Sequence, residues 1–406
     1  MPRFVVVGAG PAGLTVALQL AQAGQSVTLI EASTRFSRQF RGDALMPCGL
    51  EALAHLGLAE LHRQLPHRTL QGWSVWVEGR RLFQLREPMG TLQPCTLVAQ
   101  EHLLEHLLAL ARDQSTLEWL PGQAVQGLLY SDQRICGVTL ADGRQQPADL
   151  VIGCDGRQSL MRRQAGLTLH TNGQGLELLW FELPGPLPAD LDGGFTTWLA
   201  QGKIGSACIS ASGHLQLAWL LEPGAAMPQL TSRQWAEQLA AHLPPTFAAV
   251  VRERAEQLSA PRRVSVQVGL SSSWQRPGLL LLGDAAHPMS PVRAQGINMA
   301  LRDSVVAAHW LSQAHNAREL DRAATRVEQL RLPEIKRMQT LQSAEASQGH
   351  RLSQLAAVRW ILAGLSPLMG PMAGAIWGAR QGPLRQGLAG ALPAANLAPQ
   401  RTNSIS

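Results

Sequence analysis

Gly8, Gly10 and Gly13 stand in the spacing G-x-G-x-x-G directly after the apolar run Phe4-Val5-Val6-Val7. In such a loop the first glycine permits a tight turn and the second lets the backbone approach a pyrophosphate. The third lets the following helix pack on the strand. Ala12 belongs to the same loop, and Leu14 to Ala23 reads as the helix. Its unpaired N–H groups and dipole favour an anion, and Gly24 closes it. Ser26 to Ile30 is the next strand. Glu31 at its end, followed by Ala32, offers a carboxylate to a ribose diol. The motif does not separate NAD from FAD. Glu31 disfavours a 2′-phosphate here, because two anions repel.

A second constellation lies far downstream. Asp284 follows the apolar run Leu279 to Leu282 and Gly283. A carboxylate at the end of a buried strand accepts hydrogen bonds from a polyol such as ribitol. Gly296-Ile297-Asn298 opens a helix read as Met299 to Leu311. Its free N–H groups would favour the electron-rich edge of a reduced flavin; a capped helix after a loop is the plainer reading. Two such sites far apart suggest that one domain grips both ends of a long cofactor.

Elements able to position these groups alternate along the chain. Strand and helix patterns cover residues 1 to about 65, and Gln100 to Arg112 has leucines at helical spacing. Leu117 to Val125, Ile135 to Leu140 and Leu150 to Cys154 read as strands. Residues 66–98 and 171–269 instead hold short alternating runs separated by Pro- and Gly-rich links, the pattern of an antiparallel sheet inserted twice into the first domain. The expected organisation is therefore a discontinuous Rossmann-like domain (1–65, 99–170 and 270–330), a substrate-binding sheet domain (66–98 and 171–269) and a helical C-terminal region (331–406).

Composition narrows the partners. In 406 residues with a net charge of +6, the only lysines are Lys203 and Lys336, and the arginines are scattered. Dinucleotide phosphates suffice to explain that mild excess, and nucleic acid is a poor second reading. The five cysteines make no metal-type spacing, so no metal is expected. Their odd number argues for free thiols in a reducing compartment. With a first strand beginning at Phe4, no room is left for a cleavable signal, and a cytoplasmic protein is expected. Trp360 to Ala379 has no charged residue between Arg359 and Arg380, but Pro367, Pro371 and glycines interrupt it. It reads as packed helices and turns, with peripheral membrane contact as the alternative.

On these residues the sequence resembles the class A flavoprotein monooxygenases, the flavin-dependent aromatic hydroxylases of the para-hydroxybenzoate hydroxylase fold. The resemblance covers residues 1 to about 330. It rests on three motifs in order: the glycine loop with Glu31; Asp155-Gly156-Arg157-Gln158-Ser159-Leu160-Met161-Arg162, which fits D-G-x-x-S-x-x-R; and Gly283-Asp284 with Ala286-His287-Pro288. It implies an α/β fold in which a Rossmann-like FAD-binding domain carries an inserted antiparallel β-sheet substrate domain and a helical C-terminus. By the same resemblance Glu31 binds the adenosine ribose, Asp284 the ribityl chain, and Gly296, Ile297 and Asn298 the isoalloxazine. Arg41 and Gln100 reach the pyrophosphate, Val125 lies beside the adenine, and Asp155 and Arg162 serve both FAD and NADPH. A helix cap is the plainer reading of Gln100, and a structural salt bridge that of Arg162.

The resemblance further implies non-covalent FAD, NADPH or NADH as a transient reductant, and O₂ activation through a flavin C4a-hydroperoxide. The product is a hydroxylated aromatic or other electron-rich apolar molecule, made by a monomer or homodimer. One departure stands out: many members carry a small pair such as Gly-Gly before Gln-Gly, whereas this chain has Val292-Arg293-Ala294. The flavin does the chemistry, so protein-borne catalytic candidates are few: His287, Pro291 and Arg293. Phe195, Trp198 and Trp219 are candidates for the substrate pocket. Tyr130, the only tyrosine, lies outside the sheet domain. The main alternative is an FAD-dependent reductase or dehydrogenase of the same fold, acting on an isoprenoid or quinone-like substrate without oxygen insertion. A halogenase fits poorly: Gly72-Trp73-Ser74-Val75-Trp76 is off its motif by one residue and no lysine is suitably placed. A flavin-bound chaperone or redox sensor is the non-enzymatic rival.

Overall fold

In the computed structural model, residues 1–36, 43–90, 92–171, 175–222 and 224–393 are described. Five of the apolar runs form parallel neighbours in one sheet, in the order Leu279–Leu281, Leu150–Gly153, Arg3–Val7, Ser26–Glu31 and Leu117–Pro121, with Gln275–Arg276 added antiparallel at one edge. The first four of these strands are largely buried on both faces, as covered parallel strands require, whereas Leu117–Pro121 is partly exposed. The helix Pro11–Gln22 packs between this sheet and the helix Gln295–Leu311. This arrangement brings Gly8, Glu31, Asp155 and Asp284 to the ends of adjacent strands, where open α/β sheets bind ligands.

The second sheet has seven strands, in the order Arg262–Val266, Leu176–Leu183, Leu215–Leu221, Lys203–Ile209, Phe195–Ala200, Gly72–Val77 and Arg80–Arg86. Its pairings are antiparallel except one, since Phe195–Ala200 runs parallel to Gly72–Val77. That exception joins strands from two separate stretches of chain, which no hairpin obliges to run antiparallel. One face of the sheet is closed by the helices Ser232–Ala240 and Pro245–Glu253, which form a second core with Phe181, Trp198, Trp219, Trp235 and Phe247. The other face looks toward the first sheet.

The C-terminal third is helical: Gln295–Leu311, Ala317–Gln354, Ala356–Gly364 and Ser366–Gln386. The 38-residue helix Ala317–Gln354 runs past the first sheet and along the mouth between the sheets. Asn316 caps it by accepting a hydrogen bond from the Glu319 N–H at 3.0 Å. No single helix among the described residues is long and apolar enough to cross a membrane.

Candidate functional site

The glycine loop is fixed by close contact as well as by turn geometry. Gly8 has φ +99°, and a Cβ there would lie 2.5 Å from the Cys154 carbonyl oxygen. A Cβ on Gly13 would lie 1.8 Å from the Gly8 carbonyl. Neither position admits a side chain, so the loop sits tight against the neighbouring strand end. Gly10 is the N-cap of Pro11–Gln22, which leaves the first N–H groups of the helix facing outward. Glu31 is buried, and its carboxylate accepts from the Ala9 N–H at 2.8 Å and the Ser33 N–H at 3.0 Å.

From this loop one cleft of about 2350 Å³ runs between the two sheets. Gly8, Gly10, Ala12, Glu31 and Ala32 line one end with Gln100 and Val125. Asp155, Gly283 and Asp284 line the middle, and Pro291, Arg293, Gly296 and Ile297 follow. Beyond them lies the open face of the seven-stranded sheet, represented by Phe195, Thr197, Ser206, Cys208, Gln216 and Ala218. Among the described residues, three buried acceptors on this path have no hydrogen-bond partner, Gln100 Oε1, Asp155 Oδ1 and Gln342 Oε1. The other Asp155 oxygen accepts from the Met161 N–H at 3.0 Å. Gly296 opens to the cleft: the nearest atoms to a Cβ there would be Asp284 Oδ1 at 3.9 Å and Met289 Cβ at 4.0 Å. Asp284 faces the same space and accepts from Arg157 Nε at 3.2 Å.

Several expected site residues are placed otherwise. Arg41 lies outside the described residues. Gln100 opens its helix without acting as a side-chain cap. Arg162 is buried and lines a second, shallow groove beside the cleft; it donates to the carbonyls of Ala285 at 2.6 Å and Arg157 at 2.9 Å, tying together the loops that carry Asp284 and Arg157. Asn298 is also buried, accepting from the Met46 N–H at 2.9 Å and donating to the carbonyls of Ala44 at 3.0 Å and Ala294 at 2.8 Å. Its side chain is thus spent inside the protein.

Three expectations are corrected. Trp198 and Trp219 point away from the cleft into the second core, because strand alternation puts Thr197 and Ala218 on the cleft face instead. Phe195 does line the cleft. His287 is not at the cleft: it is buried, with Nε2 2.6 Å from Asp303 Oδ2 and its ring 4.8 Å from that of Trp274. It holds a loop in place and has no access to a reacting atom.

A buried charged network was not foreseen. Asp303 also accepts from Arg331 Nε at 2.8 Å and from the Gly283 N–H at 3.1 Å. Arg331 contacts Glu334, which in turn receives Arg302 Nε at 3.0 Å. Burial alone would raise the Asp303 carboxyl, but His287 and Arg331 outweigh it and hold its pKa below the usual range. The readable signal was the adjacent opposite charges Arg302-Asp303 inside a mostly apolar helix.

Arg293 explains the departure seen in the sequence. It has φ +57° and Ala294 φ +48°, the left-handed region that a Gly-Gly pair occupies without strain. The Arg293 guanidinium lies between two indoles, 4.8 Å from the Trp73 ring and 4.6 Å from the Trp377 ring, and pairs with Glu345. One arginine thus ties the loop before Gln295–Leu311 to the sheet, to Ala317–Gln354 and to the last helix. Arg293→Ala is expected to cost about 2–3 kcal/mol in denaturant unfolding. Arg293→Gly should cost about 1 kcal/mol less, because the left-handed strain is relieved at the same time.

Asp43 is a second residue the sequence did not single out. It lines the cleft beside Gln100 and Cys208. Burial pushes its carboxyl up to about 7, opposed by a hydrogen bond from the Gln100 N–H and reinforced by Glu182. The folded protein therefore holds a proton that the unfolded chain releases near its ordinary value of 3.8. That contribution to stability is full below pH 3.8 and is lost as pH rises toward 7. Asp43→Asn should flatten this part of the profile, as read from urea midpoints across the range.

Comparison with known proteins bears on the whole assembly. Residues 3–338 match the family model of the FAD binding domain. A 6-methylpretetramide 4-monooxygenase of Streptomyces rimosus is 34% identical over 371 residues, covering 87% of this chain and 86% of its own. A 3-amino-4-hydroxybenzoate 2-monooxygenase of Streptomyces platensis is 30% identical over 360 residues, covering 82% and 85%. In fold, the chain is similar to PqsL of Pseudomonas aeruginosa, solved with 2-aminobenzoylacetate: TM-score 0.75 and 20% identity, over 89% of this chain and 98% of that one.

Proposed function

The chain belongs to the FAD-dependent aromatic monooxygenases of the para-hydroxybenzoate hydroxylase class, and we propose that it hydroxylates a neutral aromatic substrate of more than one ring at the expense of a reduced nicotinamide dinucleotide. FAD-dependent aromatic hydroxylation is the activity of its relatives and of this enzyme. The residues present fit FAD. Gly8 and Gly13 leave no room for side chains beside the pyrophosphate turn, and Gln100 Oε1 and Asp155 Oδ1 are buried acceptors that await a partner on the cleft. Glu31 would hold the adenosine ribose, the N-terminus of Pro11–Gln22 the pyrophosphate, and Asp284 the ribityl hydroxyls. Gly296 and Ile297, at the start of Gln295–Leu311, would face the ring system. Bound there, FAD supplies two-electron transfer from the reductant to O₂ and delivery of one oxygen atom to the substrate.

The protein's own part is to bind, orient and keep water out. The observation that carries the substrate reading is the cleft face of the seven-stranded sheet. Its lining residues, among them Leu178, Phe195, Thr197, Ser206, Gln216 and Ala218, bear no charge. A small carboxylate such as a hydroxybenzoate would find no cationic partner on that wall, and Arg293, which lines the same cleft, is already paired with Glu345. A fused-ring phenol would bury its faces against Phe195 and Leu178, with Thr197, Ser206 and Gln216 available to its hydroxyls. The 6-methylpretetramide in the name of the Streptomyces rimosus relative fits the same reading. The apolar wall also shields the reacting oxygen from water.

For the reductant, the supporting observation is a shallow groove of about 530 Å³ beside Asp284, lined by Arg157, Arg163, Thr168 and Gln267 among others. It would take the phosphates of NADPH or NADH. Arg163→Ala is expected to raise KM for the nucleotide about tenfold while leaving FAD content unchanged. Steady-state kinetics with each nucleotide reads this directly.

The function is tested with ¹⁸O₂. Mass-labelled oxygen in the product of 1-naphthol or 1-hydroxyanthracene, with 4-hydroxybenzoate inert, is the expected result. Nucleotide-driven reduction of a quinone with no label incorporated would favour a reductase of the same fold. A preference for 4-hydroxybenzoate would remove the neutral, multi-ring reading.

A further inference from the structure

The last two long helices are apolar on two sides, and only one side is used. Ala356–Gly364 and Ser366–Gln386 meet at an angle of 106°. Inward, Leu362, Ala373 and Trp377 pack on Val77, Leu82, Phe83 and Leu199. Glycines let the backbone come close there: a Cβ on Gly370 would be 2.2 Å from the Leu82 carbonyl oxygen, and one on Gly374 3.3 Å from Phe83 Cβ. Outward, Leu355, Val358, Ile361, Leu365, Leu368, Met372 and Ile376 recur at intervals of three and four residues, and all are exposed. Leu368 is 80% exposed, and Trp360 beside the stripe is 63% exposed. A run of this length is far beyond the singly scattered apolar residues of an ordinary surface.

Charge identifies what covers it. From residue 346 to the end of the sequence there is no Asp or Glu. Exposed Arg351 and Arg380 stand at the two ends of the stripe, four residues before Leu355 and four after Ile376. Exposed Arg80 and Arg81 lie on the strand beneath the last helix. The nearby acids are spent inward: Glu78 pairs with Arg359, and Glu87 with Arg385. An apolar stripe with an exclusively basic rim complements a bilayer surface with anionic headgroups. The patch is also continuous with the cleft, because Trp377 on the last helix and Leu352 just before the stripe both line it.

We propose that this bent helix pair is a monotopic docking surface that lies in the interface of an anionic membrane, with the cleft mouth beside it. The proposal does not depend on the identity of the substrate. It is tested by flotation of the full-length protein with vesicles of phosphatidylcholine alone, and with vesicles of equal parts phosphatidylcholine and phosphatidylglycerol. The wild type should float with both and more strongly with the anionic set. Trp360→Glu/Leu368→Glu alters two side chains with little packing to lose, and should lower partitioning more than about tenfold with an unchanged melting temperature. Arg351→Gln/Arg380→Gln should lower binding to the anionic vesicles about fivefold per charge, and binding to neutral ones little. A wild type that stays unbound from the anionic vesicles overturns the proposal. So does a dimer that Leu368→Glu dissociates while no vesicle binding is seen, since the face would then join two copies of this chain.

Discussion

Asp303→Ala is expected to destabilise the protein by about 3–5 kcal/mol, the loss typical of breaking a buried ion pair from one side. Asp303 and Arg331 are fully buried, as are Arg302 and Glu334. Two guanidinium groups thus face two carboxylates, with Glu51 supplementing Arg302 from the edge at 2.6 Å. Removing Asp303 leaves the Arg331 charge short of a partner, and also orphans the Gly283 N–H and His287 Nε2. The double variant Asp303→Leu/Arg331→Met removes the charge together with its partner. It should recover much of the loss, because apolar groups of similar volume replace buried pairs at little net cost. Urea unfolding of the three proteins checks this. Equal losses in the single and double variants would show that the charge imbalance is not what matters.

The same residue has an acid signature. Its folded pKa is depressed, so its stabilisation is present above the unfolded value of 3.8 and lost as pH falls through the lower folded value. Wild-type stability should fall at the acid end through Asp303, whereas Asp303→Ala should lack that step. Asp43 works in the opposite sense between pH 3.8 and about 7, so the two profiles are separable by range.

What the sequence made legible was local. Phe4 to Val7, the three glycines, the helix and Glu31 follow one another within one unit, and each was readable from spacing alone. The Gln100–Arg112 helix was legible for the same reason, its buried leucines falling on one face. What was not legible depended on register or on distant partners. Trp198 and Trp219 were assigned to the pocket, but whether an odd or even residue faces the cleft is set by pairing with strands elsewhere. The helix at Gly296 begins at Gln295, four residues earlier than its apolar pattern suggested, because left-handed Arg293 and Ala294 set its start. The Asp303 network joins residues from three separate segments, and no local pattern encodes such a contact.

Asp284→Ala is expected to weaken FAD binding by about ten- to a hundredfold. Hydrogen bonds to a charged group contribute about 1.5–3 kcal/mol, and each 1.4 kcal/mol is about tenfold in affinity. The side chain is 27% exposed toward the cleft, and among the described residues its one partner is Arg157. Among the described residues no backbone group depends on it for a hydrogen bond, so the fold should be preserved, with the far-ultraviolet spectrum and unfolding midpoint close to wild type. Removing the carboxylate also frees the Arg157 guanidinium, which could itself disturb the site. A double-mutant cycle with Arg157→Ala separates the two effects. If Asp284 acts directly on the ribityl hydroxyls, the double variant stays as weak as Asp284→Ala. If it acts only by restraining Arg157, the double variant recovers. Asp284→Asn keeps an acceptor oxygen and should fall between wild type and alanine. Titration of the apoprotein with FAD, followed by quenching of flavin fluorescence, measures all four variants against wild type. Unchanged affinity in Asp284→Ala would remove Asp284 from the cofactor contacts and leave the glycine loop, Glu31 and the N-terminus of Gln295–Leu311 to hold FAD without it.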